Sequence, residues 1–156
     1  MNRIGNDQVF IEFDGNYQNS NFIPLRLCIE GEYLGTLDSP TYVTSFINSL
    51  KNLLNDNYYY SNVINDENCK KFFYPKGLLS ENYRITLEET FDDFSKRAAR
   101  NNNTIYFTWF LYEDHFFEYK DNIVNKVFFS KCKSLDLLNL IDDFLEVRGG
   151  STCLNN

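Results

Sequence analysis

Residues 104–112 read TIYFTWFLY, and nearly all of these side chains are β-branched or aromatic. Such side chains suit a pleated, half-buried surface, so the stretch predicts a β-strand. Both of its faces are apolar, which is typical of a strand that is covered on both sides. We therefore expect this strand to lie centrally in a sheet, or to carry an exposed aromatic face.

The rest of the chain predicts further strands. Residues 55–76 are expected to form a loop around one short strand that begins at Tyr58. Residues 88–100 fit either a helix or a turn followed by a strand, and the asparagines at 101–103 favour the second because they suit a hairpin. Alternation and short apolar runs indicate the remaining strands, at 8–14, 22–29, 83–87, 115–119 and 123–131, with a hairpin-like segment at 31–35.

Two amphipathic helices are predicted. Ser39 is a good N-cap and Pro40 suits the first helical position, so the first helix is expected to begin there. The second begins at Ser134 and is expected to end at Gly149–Gly150, because glycine allows the left-handed turn that closes a helix. Their apolar stripes are Val43, Phe46, Ile47, Leu50, Leu53 and Leu54 in the first helix and Leu137, Leu138, Ile141, Phe144 and Leu145 in the second.

This order of elements indicates the α+β class, with an antiparallel β-sheet meander and two amphipathic helices packed on one face. A chain of 156 residues suits a single hydrophobic core. We therefore predict one domain over residues 1–150, followed by a frayed C-terminal tail at 151–156.

The formal net charge is −7 at pH 7. An acidic surface repels phosphate backbones, so direct binding to nucleic acid is not expected, whereas a basic protein partner would be attracted to it. No apolar run is long enough for a membrane span, and the first residues lack the pattern of a signal peptide. The prediction is a cytoplasmic protein without a membrane partner, whose four cysteines stay reduced.

Catalytic and metal-binding patterns are sparse. The cysteines have no CxxC or CxH spacing, and no nucleotide-binding, zinc-protease or serine-hydrolase motif occurs. A nucleophilic pair of His115 with Cys132 is one catalytic alternative, and an enzyme built on the paired carboxylates is another. Because solvated acids are the ordinary reading of adjacent carboxylates, we predict no enzyme activity, no catalytic residues, no cofactor and no metal.

Aromatic and acidic residues outside the core define a candidate partner-binding surface. Tyrosine is favoured at recognition sites because its flat ring buries a large area at little cost in entropy. The alternative reading, in which these aromatics cover an edge of the core, stays open. The candidate residues are Tyr58, Tyr59, Tyr60, Asp92, Asp93, Glu113, Asp114, Glu118 and Asp121.

Several stretches carry a resemblance to a known family. These are FIEFDG at 10–15, PLRLCIEGEYLGTLDS at 24–39, ETFDDFSKR at 89–97 and TIYFTWFLYED at 104–114. They resemble the small immunity proteins of bacterial polymorphic-toxin and contact-dependent growth inhibition systems. The resemblance spans about two-thirds of the chain, and its motifs mainly carry the fold.

The resemblance implies a cytoplasmic, non-enzymatic inhibitor. Its partner would be the C-terminal domain of a cognate secreted toxin, frequently a basic nuclease, whose active site or exosite it would cover. Contact residues differ between cognate pairs in such families, so none is transferred to this chain. The alternatives are another protein-binding module, such as a secretion adaptor or a regulatory subunit, and an enzyme; the oligomeric state is left open.

Overall fold

The computed structural model describes residues 1–120 and 123–153, with side chains through Gly149. Within these residues the chain forms seven strands and three α-helices. In chain order they are β1 (Asn2–Gly5), β2 (Val9–Phe13), β3 (Phe22–Ile29), β4 (Glu32–Tyr42), α1 (Val43–Asn55), α2 (Cys69–Phe73), β5 (Phe94–Arg100), β6 (Thr104–Leu111), β7 (Phe128–Lys133) and α3 (Ser134–Cys153).

The strands form two antiparallel sheets. The first has the order β1-β2-β3-β4 and the second the order β5-β6-β7. This confirms the α+β class and the antiparallel meander, although the meander is divided between two sheets. The apolar stretch at 104–112 is the central strand β6, as predicted: Phe107 and Trp109 on one face join the main core, and Tyr106 on the other joins a smaller cluster with Phe73.

Helices α1 and α3 contact each other and both sheets. The stripe of α1 is buried almost as predicted, with Phe46 and Leu50 fully enclosed. In α3 the buried positions include Leu140, whereas Leu138, which was predicted to be buried, is 45% exposed. Helix α3 also continues past Gly149–Gly150 to Cys153, because glycine permits a left-handed stop without imposing one.

The predicted helix start at Ser39–Pro40 is wrong, because both residues lie in β4. Ile23 pairs with Thr41, whereas Leu25 pairs with Thr36. The register therefore shifts here, and β4 has extra residues between these two pairs, as in a β-bulge. A proline is tolerated in such an irregularity of an edge strand, where its missing N–H breaks no regular ladder. Helix α1 begins three residues after Pro40, at Val43.

The segment between α1 and β5 forms neither of its predicted strands. Residues Asn57–Tyr59 form a 3-10 helix, and Tyr60 makes one isolated bridge instead of a strand through Ile64. The predicted strand at 83–87 is interrupted because Tyr83 and Leu87 have left-handed backbone conformations, with φ of 66° and 59°. Only a single bridge, between Arg84 and Arg97, remains of it.

In the second half of the chain the observed elements agree more closely with the predicted ones. Residues 88–100 form a 3-10 turn at Glu89–Phe91 and then strand β5, which confirms the turn-and-strand alternative. The predicted strand at 115–119 does not form. Its backbone N–H groups at Phe116 and Phe117 donate to a side chain, Asp93, and are therefore not available for a ladder. The strand predicted at 123–131 is shorter and shifted, as β7.

Candidate functional site

The predicted surface residues form two groups at opposite ends of β5. Tyr60 bridges to Arg100 at the last residue of the strand. Asp93 lies directly before its first residue, and its carbonyl accepts the N–H of Tyr112 at 2.9 Å. A strand of this length spans roughly 20 Å, so the tyrosines and the acids do not merge into one patch. Asp121 lies outside the described residues.

The tyrosine group follows the end of α1. The Asp56 carboxylate accepts the N–H of Tyr58 at 2.9 Å and starts the short 3-10 helix. Tyr59 is half-buried against the core and donates its hydroxyl to the Arg84 carbonyl at 2.9 Å, and its burial raises the pKa of that hydroxyl. Tyr58 and Tyr60 are 48% and 42% exposed. Two of the three rings are thus accessible to a partner.

Arg100 holds this segment against the end of α1. Its Nη1 donates to the Leu53 carbonyl at 2.8 Å and to the Asp56 carbonyl at 2.6 Å. A positive charge at the C-terminal end of a helix is favourable because the unpaired carbonyls there are partly negative. The same guanidinium lies 6.0 Å from the centre of the Tyr60 ring. The tyrosine group therefore lies next to a cation, Arg100, as well as next to the Asp56 carboxylate.

Asp93 organises the loop at the other end of β5, residues 112–119, which we call the 112–119 loop. Its Oδ1 accepts the N–H of Phe116 at 2.8 Å, and its Oδ2 accepts the N–H of Phe117 and the hydroxyl of Tyr119, both at 2.9 Å. Partial burial alone would raise the pKa of Asp93, but these three hydrogen bonds stabilise the carboxylate and lower the pKa. Asp93 is thus a positioning residue for the loop.

The 112–119 loop also packs through its rings. Tyr119 meets Phe94 edge-on, with ring centres 5.0 Å apart, and His115 meets Tyr119 edge-on at 5.6 Å. The Nδ1 of His115 lies 2.6 Å from the carbonyl oxygen of Phe117. These contacts hold one side of the loop against β5, and the remaining side faces solvent.

Phe116 is the outermost ring of this loop. Its side chain is 86% exposed, and its ring contacts only that of Phe117 among the described aromatic pairs, edge-on at 5.0 Å. Glu113, Asp114 and Glu118 are exposed on the same loop. Sequence patterns do not single out Phe116, because a phenylalanine in a predicted strand is ordinarily a core residue. Asp93, 23 positions earlier in the sequence, fixes the backbone on which the exposed ring lies.

The catalytic alternative gains no support from the geometry. Cys132 is 3% exposed, and burial raises the pKa of its thiol to about 12, whereas a nucleophile requires an accessible thiolate. Within residues 1–120 and 123–149, no group of three or more His, Cys, Asp or Glu side chains is arranged to hold a metal ion. In the same part of the chain no helix has the length and apolarity to cross a membrane.

Comparison with known proteins gives one informative result. No protein-family model matches the sequence, and no curated protein matches it either. A solved structure, the crystal structure of CdiI from Burkholderia dolosa AUO158, is similar with a TM-score of 0.54 over 92% of this chain and 98% of that chain. The two sequences are 12% identical, so the match establishes a shared fold. It confirms the fold that the sequence resemblance implies.

Proposed function

We propose that this chain is an immunity protein, which binds and neutralises a cognate secreted toxin domain in the cytoplasm without catalysing a reaction. The observation that carries the proposal is the fold shared with CdiI across 92% of the chain. The stretches at 24–39 and 104–114, from which the family resemblance was drawn, form β3 with most of β4, and β6. Sequence resemblance and fold therefore support the same family.

The proposed partner is a basic domain, most simply a nuclease. A nuclease binds phosphates and is therefore commonly rich in Lys and Arg, and a chain with a net charge of −7 is attracted to such a surface. Neutralisation would follow from covering the active site or an exosite. Attraction of this kind mainly raises the association rate, which suits an inhibitor that must act before its toxin does.

The proposed contact surface includes the exposed members of the predicted set. At one end of β5 these are Tyr58 and Tyr60, and at the other Asp92, Glu113, Asp114 and Glu118. Asp121 stays a proposed contact on sequence grounds. Asp93 and Tyr59 support this surface from beneath, since their polar atoms are used in internal hydrogen bonds.

Protection of a cell tests the proposal. The C-terminal domain encoded by the gene immediately upstream is expressed from an inducible promoter, with and without this chain. We expect growth arrest by the domain alone and normal growth when both are present. An unrelated toxin domain serves as the control, and it should arrest growth in either case. If the chain associates with its neighbour's product without lifting toxicity, an adaptor or regulatory role replaces the proposed one.

A further inference from the structure

Phe116 is the most exposed large apolar side chain among the described residues, at 86%. Burying a phenylalanine ring contributes about 1.5–3 kcal/mol, and a ring held in water forgoes that contribution. Its neighbours in the loop show that burial was available: Phe117 is half-buried and Tyr119 packs on Phe94. Phe116 alone of these three aromatics points outward.

The loop holds Phe116 in place before any partner arrives. The backbone N–H of Phe116 itself donates to Asp93, and so does that of the next residue, at 2.8 and 2.9 Å. The carbonyl of Asp93 also accepts the N–H of Tyr112, at the start of the loop. A side chain on a backbone that is already ordered loses less entropy on binding than one on a free loop. This favours Phe116 as a binding anchor.

The charged side chains of the same loop indicate what kind of surface the Phe116 ring would contact. Glu113, Asp114 and Glu118 are exposed within four residues of Phe116, and Lys120 is the one exposed cation among residues 112–120. An apolar centre with a charged rim is the usual anatomy of a protein–protein hot spot. The matching surface is an apolar pocket that accepts one ring and is bordered by Lys or Arg side chains.

We propose that Phe116 is the anchor residue of this chain, inserted into an apolar pocket on a basic face of the toxin domain, with the acids of the 112–119 loop meeting the rim of that pocket. This inference rests on the proposed function and deepens it, because it names the contacting element and the chemistry of the partner's surface. The tyrosine group at the far end of β5 then lies at the periphery of the interface.

Binding of the purified upstream-encoded C-terminal domain to variants of the full chain tests the anchor. We expect Phe116→Ala to weaken the equilibrium affinity at least about 30-fold, as truncation of a hot-spot residue does. Leu135→Ala is the matched control. Leu135 is 64% exposed, but it lies in the first turn of α3, next to the Asn103 end of β6 and away from the loop. Its truncation should change the affinity less than about threefold.

The outcomes separate the inference from the proposed function. Wild-type binding that Phe116→Ala leaves unchanged overturns the anchor and leaves the immunity function standing. No wild-type binding overturns both. Equal weakening by Phe116→Ala and Leu135→Ala also overturns the anchor, because the loss is then not specific to the loop.

A second measurement does not depend on truncation. A photoreactive phenylalanine analogue at position 116 should crosslink to the toxin domain, whereas the same analogue at position 135 should not. An exposed ring is also suited to a lipid surface, although the acidic rim opposes contact with anionic lipids. Phe116-dependent sedimentation with vesicles of anionic phospholipid would therefore overturn the proposed protein pocket.

Discussion

The Oδ2 of Asp93 accepts the hydroxyl of Tyr119 at 2.9 Å, across 26 positions of the sequence. Tyr119 in turn packs its ring against Phe94, the first residue of β5. Burial and the neighbouring carboxylate both raise the pKa of the Tyr119 hydroxyl, which therefore stays a donor at all ordinary pH values. One side chain at the start of β5 thus secures the loop that carries the exposed ring of Phe116.

Removing that carboxylate should loosen the loop. We expect Asp93→Ala to lower the free energy of unfolding by about 1–3 kcal/mol, because it leaves two backbone N–H groups and one hydroxyl without their acceptor. Asp114→Ala is the control: its side chain is exposed on the same loop, and its loss should cost less than about 0.5 kcal/mol. Urea unfolding of the three proteins measures the difference. Equal stability of both variants would show that Asp93 does not hold the loop.

The contribution of Asp93 should depend on pH. Because the folded state lowers the pKa of this carboxyl group, its stabilisation is complete above the unfolded-state value of about 3.9 and is lost as the pH falls through the folded-state value. The difference in unfolding free energy between wild type and Asp93→Asn should therefore shrink between about pH 5 and about pH 2. A difference that stays constant over this range contradicts a charge-dependent role.

Gly35 is predicted to be intolerant of substitution. A Cβ built there lies 2.6 Å from the Phe91 ring, which is fully buried and stacked on Phe46 at 5.4 Å. Its φ of +112° also disfavours any side chain. Gly35→Ala should therefore cost about 1–3 kcal/mol more than the backbone strain alone, as overpacking does.

Gly31→Ala isolates the strain. Gly31 has a φ of +82°, and a Cβ there meets nothing within 4 Å, so its cost should be that of the backbone alone, roughly 1–2 kcal/mol. Thermal or urea unfolding of both variants gives the comparison. If Gly31→Ala is as destabilising as Gly35→Ala, the close approach of Phe91 is not what requires glycine.

Association with a basic toxin domain should be sensitive to salt. Raising the ionic strength from about 0.05 M to about 0.5 M should slow association roughly tenfold or more, since exposed charges are screened over a few ångströms at high salt. The double variant Glu113→Gln/Asp114→Asn should associate more slowly and show a weaker dependence on salt. Stopped-flow association rates measure both effects. A rate that does not change with salt would show that electrostatic attraction does not speed association.

The parts of the fold that local chemistry determines were predictable. Strand β6 follows from a composition that is almost entirely β-branched or aromatic, and the body of α1 follows from the regular spacing of its apolar residues. Ser39–Pro40 misled because a good helix start by local chemistry also fits the irregular edge of β4. The pairing of β4 with β3 places Ser39 and Pro40 in a strand, and this pairing cannot be inferred from the local sequence.

The exposure of several candidate residues was predictable from the sequence, whereas their arrangement around β5 was not. Tyr58, Tyr60, Glu113 and Asp114 are exposed, as a surface patch requires. The division of the set between the two ends of β5 follows from the pairing of β5 with β6, and the role of Asp93 follows from contacts with residues 23 to 26 positions away. Such tertiary contacts cannot be predicted from the spacing of apolar residues. They also fix the loop on which Phe116 is exposed.

Calorimetric titration of the wild-type chain with the C-terminal domain encoded immediately upstream tests the central claim most directly. We expect a saturable heat with one chain bound per toxin domain and a dissociation constant in the nanomolar range or below. No heat of binding, together with no co-migration on size exclusion at tens of micromolar of each protein, would contradict the claim that this molecule works by occupying the surface of a toxin.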